Sequence, residues 1–260
     1  MITLDLLNRV INIASDAGDA IMRVYKKEID VAFKEDRSPL TQADLAAHFL
    51  ISERLKVLSP NIPILSEEGI QTFNGANEEG YYWLVDPLDG TKEFIKRNGE
   101  FTVNIALIYQ GQPVLGVVYA PAMDTIYSAA RGLGAFKAIG PEKHKIHASP
   151  HQPNTPWRVV GSRSHGGDEL NAWLLGLGDY ELIPMGSSLK LCLVAEGRAD
   201  VYPRLGPTSL WDTAAGQCVV EEAGAQVTDL EGRPLNYQNP AEVLNPSFIV
   251  SVGTALLAPT

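Results

Sequence analysis

The spacing of apolar residues changes along this chain, and that change constrains the fold more than any other sequence feature. From Leu4 to Tyr25 the apolar residues recur at steps of three and four, which predicts a long amphipathic helix with Thr3 as its N-cap. A second helix is predicted from Thr41 to about Leu58, because Ser59-Pro60 would end it there.

Short apolar or alternating runs come next, and turn residues separate them, which is typical of an antiparallel meander. These runs cover residues 81–85, 101–109, 114–120 and 125–129. Residues 141–156, rich in Pro and His, are interpreted as the connection between two subdomains. Beyond it strands and helices alternate, which indicates a layered α/β half. The expected strands are 158–161, 180–183, 199–202 and 248–252, and the expected helices are 168–175, 187–196 and 211–223.

The charge balance and the cysteine content exclude several classes of protein. The formal net charge of −10 gives no general attraction to nucleic acid, and no apolar stretch reaches the roughly 20 residues of a membrane span. Asp5 and Asn8 interrupt the opening residues, so we expect no signal peptide. Two cysteines are too few for a disulfide scaffold, and a cytoplasmic location is expected. An anionic ligand would require metal ions or a few well-placed basic side chains.

A pair of aspartates at the end of a predicted strand, Asp86 and Asp89, is the most informative motif in the chain. The proline after Asp86 favours a β-turn, which would hold the two Cα atoms within about 7 Å of each other. Like charges at that separation repel unless a cation lies between them. With the Leu88 carbonyl facing the same point, the ligands are all oxygens, which suits Mg²⁺ before Ca²⁺ or Mn²⁺. The motif therefore predicts a metal site.

Neighbouring residues extend this predicted site. Gly90 and Thr91 are expected to open a short helix whose free N–H groups bind phosphate. Glu67 follows another short apolar run, and Asp212 lies at the predicted start of a helix, where an ordinary N-cap would also explain it. Asp44 fits a capping box as well as it fits a partner for the Thr91 hydroxyl, and the spacing leaves both interpretations open.

Two signatures in the chain resemble those of the inositol monophosphatase superfamily, which comprises lithium-sensitive, Mg²⁺-dependent phosphatases. They are D-P-[LI]-D-G-[TS], found here as residues 86–91, and W-D-x-[AG]-[AG], found here as residues 211–215. The resemblance extends from Lys34 to Phe248. Residues 186–190 and 202–207 are most similar to the CysQ-type branch, the 3′(2′),5′-bisphosphate nucleotidases. The resemblance implies an α+β or α/β layered sandwich (αβαβα, the sugar-phosphatase fold) of two packed subdomains.

The resemblance also implies a role for each matching residue. The implied metal ligands are Glu67, Asp86, the Leu88 carbonyl, Asp89 and Asp212. Thr91 and Asp44 would orient and deprotonate the attacking water with help from Glu67, while Gly90 and Thr91 would contact the phosphate. On this basis residues 1–150 form an α+β subdomain whose antiparallel sheet carries most metal ligands. Residues 151–260 form an α/β subdomain that supplies Asp212 and the nucleotide contacts.

A nucleoside bisphosphate carries a second phosphate, which needs donors of its own in an acidic protein. Ser187 and Ser188 begin a predicted helix with free N–H groups. Lys190 lies in its first turn, and Arg204 would add a fork-shaped donor, although without the resemblance both would be interpreted as solvated cations. The implied substrate contacts, besides Gly90 and Thr91, are Ser164, His165, Gly186, Ser187, Ser188, Lys190, Arg204 and Asp212.

The predicted activity is hydrolysis of the 3′-phosphate of adenosine 3′,5′-bisphosphate to AMP and phosphate, with two or three Mg²⁺ ions and with Li⁺ as an inhibitor. An inositol or other sugar monophosphatase with the same metal centre is the alternative. The aspartyl-phosphate phosphatases are disfavoured because their D-x-D-G-T loop is one residue shorter than the segment here. We expect a small phosphorylated nucleotide as partner, no nucleic acid and no membrane-spanning segment, in a cytoplasmic monomer or homodimer. Peripheral association with the inner face of the membrane is left open.

Overall fold

A computed structural model describes residues 2–27, 31–33, 39–162 and 168–253, and these residues form two large β-sheets, one two-stranded ribbon and three layers of helices. The helices are α1 (Leu4–Tyr25), α2 (Gln42–Leu58), α3 (Thr91–Ile95), α4 (Asp168–Leu177), α5 (Leu189–Ala195) and α6 (Leu210–Glu222). The strands are β1 (Val31–Phe33), β2 (Pro39–Thr41), β3 (Ile64–Ser66), β4 (Tyr81–Asp89), β5 (Thr102–Tyr109), β6 (Gln112–Ala120), β7 (Thr125–Ala130), β8 (Gly134–Ile139), β9 (Glu142–Ile146), β10 (Trp157–Gly161), β11 (Tyr180–Pro184), β12 (Val201–Arg204), β13 (Gln226–Asp229) and β14 (Phe248–Ser251). β1 and β2 pair with each other as a small ribbon.

The larger sheet contains β3 to β9 in chain order. β3 runs parallel to β4, and the other neighbours pair antiparallel, so the predicted meander is confirmed. β9 lies inside the segment 141–156, whose interpretation as a connection is therefore wrong for its first part. The first four residues of β9 are exposed, so this edge strand shows no apolar pattern that would have predicted it.

α1 and α2 cover one face of the larger sheet. The hydroxyl of Thr3 accepts the N–H of Leu6 at 3.1 Å, which confirms the predicted N-cap. One stripe of α1 is buried against the sheet, where Trp83 and Ile105 belong to the same apolar cluster. α1 has 22 residues, but no helix in the described part of the chain is both long enough and apolar enough to cross a membrane.

The smaller sheet has the order β11-β10-β12-β14-β13, and α5 and α6 lie between it and the larger sheet. Almost every residue of α6 is buried, as expected for a helix enclosed on both sides. α4 packs on the outer face of the smaller sheet through Trp173 and Leu174. The resulting α/β/α/β/α order confirms the predicted fold class. The division of the chain at residue 150 stays a prediction.

Candidate active site

β4 continues through the aspartate pair instead of ending in the predicted β-turn. Asp86 pairs with Asn104 and Asp89 pairs with Thr102, so β4 has one residue more than β5 between these two pairs. The extra residue forms a β-bulge, in which the N–H of Leu88 donates to Oδ1 of Asp86 at 3.0 Å. The turn prediction is wrong because pairing with β5 resumes after the bulge. The bulge itself brings the two carboxylates together.

The carboxylates of Asp86, Asp89 and Asp212 converge, each offering an oxygen within 4.8 Å of the others. Asp212 is the third residue of α6, and its Oδ2 accepts the N–H of Ser209 at 3.1 Å as part of a capping box, so Ser209 is the N-cap. Glu67, the first residue after β3, lines the same cavity, as does Leu88. The structure thus brings all five predicted ligand residues to one acidic cavity.

Burial of these like charges makes the cluster unfavourable on its own. Asp86 is 1% exposed, and burial, followed by the charges of Glu67 and Asp89, holds its pKa well above the ordinary range. Burial and the same kind of repulsion, from Asp89 and then Glu67, raise the pKa of Asp212 to about 8. A divalent cation would relieve this repulsion, and oxygen-only donors suit a hard ion. The donor set therefore fits a metal centre.

Asp44 both completes a capping box and lies beside the Thr91 hydroxyl, which are the two interpretations that its spacing leaves open. Its Oδ2 accepts the N–H of Thr41 at 2.8 Å and the Thr41 hydroxyl at 2.6 Å, which completes the capping box of α2. Its Oδ1 lies 3.4 Å from the hydroxyl of Thr91, and that hydroxyl is also 3.4 Å from the Leu88 carbonyl. Burial raises the pKa of Asp44 against the lowering effect of the Thr41 hydrogen bonds. The Asp44 carboxylate therefore caps α2 and, through Thr91, adjoins the acidic cavity.

Gly90 joins the bulge to α3, and the structure confirms the predicted short helix beyond it. Its φ of 88° lies in the left-handed region that favours glycine. A Cβ there would come within 3.1 Å of the Glu100 carbonyl oxygen. The backbone of Glu100 can thus approach closely at this position.

Gly186, Ser187 and Ser188, called here the 186–188 turn, precede α5. The N–H of Ser188 donates to Oδ2 of Asp89 at 2.6 Å, and the Ser188 hydroxyl lies 2.6 Å from the same oxygen. The prediction of a free N–H at Ser188 is therefore wrong, because this N–H already donates to the Asp89 carboxylate. The helix also begins at Leu189, later than predicted, because Ser187 has a φ of 48°, outside helical geometry.

A second cavity adjoins the acidic one and shares Asp89, Gly90 and Asp212 with it. Thr91 lines only the acidic cavity. Ser164 and His165 lie outside the described residues. The other predicted substrate contacts, which line the second cavity, are Gly186, Ser187, Ser188, Lys190 and Arg204.

Besides the exposed Lys92, two cations face this second cavity from different elements. Lys190 is buried in α5, where its Nζ donates to the Ser187 carbonyl at 2.6 Å and lies 5.6 Å from the centre of the Tyr202 ring. Burial lowers its pKa, while the nearby charge of Asp89 raises it. Arg204, the last residue of β12, donates from Nε to the Thr208 hydroxyl at 2.5 Å. Both cations are held in place by the protein.

Some residues that line the two cavities were not predicted from the sequence as site residues. Lys92 borders both cavities and is exposed, and its position directly after Thr91 in the motif was the available signal. Tyr202 and Ser162 also line the second cavity. Tyr202 opens the segment 202–207 that the resemblance singled out, but neither residue was predicted as a site residue. Residues of this kind are recognised only when the fold brings distant segments together.

The comparison with known proteins adds to this geometry. A model of the inositol monophosphatase family matches residues 5–257. The chain belongs to this family. Within it, the 3′(2′),5′-bisphosphate nucleotidase CysQ of Escherichia coli strain K12 is 52% identical over 249 residues, covering 95% of this chain and 100% of that protein. The similarity confirms the predicted CysQ-type resemblance.

Solved structures of inositol monophosphatase family members share the fold. CysQ from Bacteroides thetaiotaomicron superposes with a TM-score of 0.81 at 40% identity, covering 95% of this chain and 96% of that one. An IMPase from Thermotoga maritima has a TM-score of 0.78 at 27% identity, covering 95% and 92%. The family is one of metal-dependent phosphatases, in agreement with the acidic cluster of Asp86, Asp89 and Asp212.

Proposed function

We propose that this protein is a Mg²⁺-dependent 3′(2′),5′-bisphosphate nucleotidase that converts adenosine 3′,5′-bisphosphate to AMP and phosphate. The observation that carries the proposal is the pair of adjoining cavities. One is lined by the acidic cluster, and the other by Lys190 and Arg204. A substrate with two phosphates fits this arrangement, because each phosphate would meet positive charge of its own. The CysQ relatives carry the same activity in their names.

Glu67, Asp86, the Leu88 carbonyl, Asp89 and Asp212 would hold two or three Mg²⁺ ions in the acidic cavity. Bound there, Mg²⁺ would supply a water of lowered pKa and neutralise charge that develops on the leaving oxygen. Li⁺ would inhibit by competing for one of these positions. The remaining steps fall to side chains that position the water and the phosphate.

Thr91 and Asp44 would act on the attacking water. The Thr91 hydroxyl accepts a proton of the water and passes its own to Oδ1 of Asp44, the one oxygen of this carboxylate that the Thr41 cap does not use. Glu67, which lines the same cavity, would assist. Water attacks phosphorus in line, the bond to the 3′-oxygen breaks, and that oxygen takes a proton from solvent to become the 3′-hydroxyl of AMP. No covalent enzyme intermediate forms. N–H groups at Gly90 and Thr91 contact the transferred phosphate.

The second phosphate would lie against Lys190, Arg204 and the 186–188 turn. Both cations are preorganised by hydrogen bonds to the protein, so less side-chain entropy is lost when the phosphate binds. Arginine adds a planar fork suited to phosphate oxygens. Ser164 and His165 are proposed to flank the nucleotide. Asp212 would contact the ribose side as well as the metal.

A substrate panel tests the proposal. Phosphate release is measured from adenosine 3′,5′-bisphosphate, adenosine 3′-monophosphate and inositol 1-phosphate, with Mg²⁺, with EDTA, and with Mg²⁺ plus Li⁺. We expect kcat/KM to be highest for the bisphosphate, and activity to be lost with EDTA and reduced by Li⁺. A preference for inositol 1-phosphate would instead support the alternative sugar monophosphatase.

A variant series separates the two phosphates. Lys190→Met keeps the side-chain volume but removes the charge, so kcat/KM for the bisphosphate should fall about 30-fold, as for a charge-assisted contact worth roughly 2 kcal/mol. Activity on inositol 1-phosphate should change little. Lys143→Met, on the exposed edge strand β9, is the matched control. Equal losses on both substrates for Lys190→Met would contradict the assignment of the second phosphate.

We further propose that the protein acts in the cytoplasm, in sulfate assimilation, as a monomer or homodimer on small phosphorylated nucleotides. Both cysteines, Cys192 and Cys218, are buried and free, which supports a reducing compartment. Co-sedimentation with vesicles would test association with the inner face of the membrane, and light scattering would give the oligomeric state.

A further inference from the structure

A buried acid, Glu100, contacts residues that line the two cavities without lining either cavity itself. Glu100, two residues before β5, is 5% exposed, and its Oε2 accepts the backbone N–H of Gly186 at 2.8 Å. Burying a carboxylate is costly unless hydrogen bonds compensate it, so this contact strongly constrains both partners. It joins a segment that precedes the larger sheet's β5 to one that follows β11 of the smaller sheet.

The 186–188 turn is fixed at each of its residues by a different contact. The N–H of Gly186 donates to Glu100, and the N–H of Ser188 donates to Asp89. The carbonyl of Ser187 accepts a hydrogen bond from the Nζ of Lys190. Ser187 has a φ of 48°, which a residue with a Cβ adopts only at a cost in free energy. The contacts on either side must therefore maintain this conformation.

Steric contacts place the backbone of Glu100 against both glycines of the site. A Cβ on Gly186 would lie 2.8 Å from the Glu100 carbonyl oxygen, and a Cβ on Gly90 would lie 3.1 Å from the same atom. The Cβ of Ser187 is 3.3 Å from the position of that added Gly90 Cβ. The Glu100 backbone thus packs against both Gly90 and the 186–188 turn.

We propose that Glu100 is a positioning residue for the second phosphate of the substrate. It fixes the 186–188 turn, and through the Ser187 carbonyl it fixes the direction in which Lys190 faces the second cavity. Its role is geometric, because a negative charge by itself would repel an anionic ligand. The inference rests on the proposed nucleotidase function, and it adds a residue that shapes specificity without touching the substrate.

Glu100→Asp tests the inference, since it keeps the charge but withdraws the oxygen from Gly186 by one methylene. We expect KM for adenosine 3′,5′-bisphosphate to rise roughly tenfold, with kcat within about twofold of the original chain. The kcat/KM for adenosine 3′-monophosphate, which has the same ester but no 5′-phosphate, should stay within about twofold. Glu100→Gln keeps an acceptor at the same reach and should restore KM to within about threefold. Glu142→Gln, on exposed β9, is the control.

Binding of AMP, measured by calorimetry, reports the second phosphate without turnover and should weaken by a similar factor in Glu100→Asp. Gly186→Ala disturbs the same hydrogen bond from the other side and should also raise KM for the bisphosphate, which keeps the inference testable if Glu100→Asp does not fold. Equal losses on bisphosphate and monophosphate, or unchanged KM in both Glu100→Asp and Gly186→Ala, would overturn it. Failure of the nucleotidase proposal would show separately, as a lack of bisphosphate hydrolysis by the unaltered chain.

Discussion

Ser188 contacts Asp89 through two atoms, its amide nitrogen and its hydroxyl oxygen, and both lie 2.6 Å from the same carboxylate oxygen. Asn104 approaches that oxygen as well, at 3.4 Å. Protein donors therefore occupy Oδ2 of Asp89, and Oδ1 is left for a cation. Because the turn that would contact the substrate also orients Asp89, a proposed metal ligand, metal affinity and substrate binding should be linked.

Ser188→Ala should weaken metal binding while leaving the backbone contact to Asp89 in place. Partners that orient a metal ligand typically contribute 10–100-fold to affinity, and the retained N–H favours the lower end, about tenfold. Calorimetric titration with Mg²⁺ measures this directly, alongside the Mg²⁺ concentration that gives half-maximal activity. Ser128→Ala, at a buried serine of β7 that lines neither cavity, is the control. An unchanged Mg²⁺ affinity would show that the hydroxyl does not orient Asp89.

Asp86→Asn should abolish activity but not the fold. Without metal the variant should melt at or above the temperature of the original chain, because one of the buried like charges is gone. Saturating Mg²⁺ should raise the Tm of the original chain by mass action and the Tm of the variant much less. The kcat should fall by at least roughly 10²-fold. Thermal melts with EDTA and with Mg²⁺ give both comparisons, and a large Mg²⁺-dependent rise in the variant's Tm would contradict the ligand assignment.

Thr91→Val and Asp44→Asn should separate catalysis from helix capping. Both variants should lower kcat by roughly 10²–10⁴-fold with little change in KM, because each interrupts the proton path from the attacking water. Asp44→Asn should also cost about 1 kcal/mol of folding free energy, since Asp44 completes the cap of α2, while Thr91→Val should not. Steady-state kinetics and urea unfolding distinguish these effects. A kcat for Thr91→Val near that of the original chain would rule out the proton path.

Asp200 should make stability depend on acid pH. It accepts hydrogen bonds from the N–H, Nε and an Nη of Arg158, and His151 lies 3.3 Å away. Burial alone would raise the pKa of Asp200, but the Arg158 hydrogen bonds outweigh it and the pKa is lowered. A lowered pKa in the folded state adds stability above the unfolded value of about 3.9, and this stability is lost as the pH falls below it.

Asp200→Asn should therefore lose about 2 kcal/mol of folding free energy at neutral pH, and the difference should shrink as the pH falls below roughly 4. Urea unfolding across a pH series measures it, with Asp179→Asn, at an exposed aspartate, as the control. A difference that stayed constant down to strongly acid pH would show that shape, and not charge, accounts for the loss.

Local signals explain why much of the fold was predictable. Thr3 and Thr41 cap their helices, the apolar spacing of α1 is strong, and both helices end where the sequence indicates. β9 and the bulge at Asp86 were not predictable, because the first depends on pairing with β8 and the second on pairing with β5. Pairing between segments outweighs the local preferences of a proline or of exposed lysines.

The acidic residues of the site were likewise visible, since each follows a short apolar run or opens a helix. The sequence does not show which hydrogen bonds these residues make with one another. Examples are the N–H of Ser188, which donates to Asp89, and the N–H of Gly186, which donates to Glu100. These two contacts join residues that are 99 and 86 positions apart in the sequence, so no local pattern indicates them. They determine which donors remain for a ligand.

Asp212 comes from a helix enclosed between the two sheets, whereas Asp86 and Asp89 come from the larger sheet alone. A nascent chain that has left the ribosome only as far as β9 would hold the first carboxylates without the last. It would be unable to close the cluster around a cation. Phosphatase competence should consequently arise late in biosynthesis, after α6 has emerged.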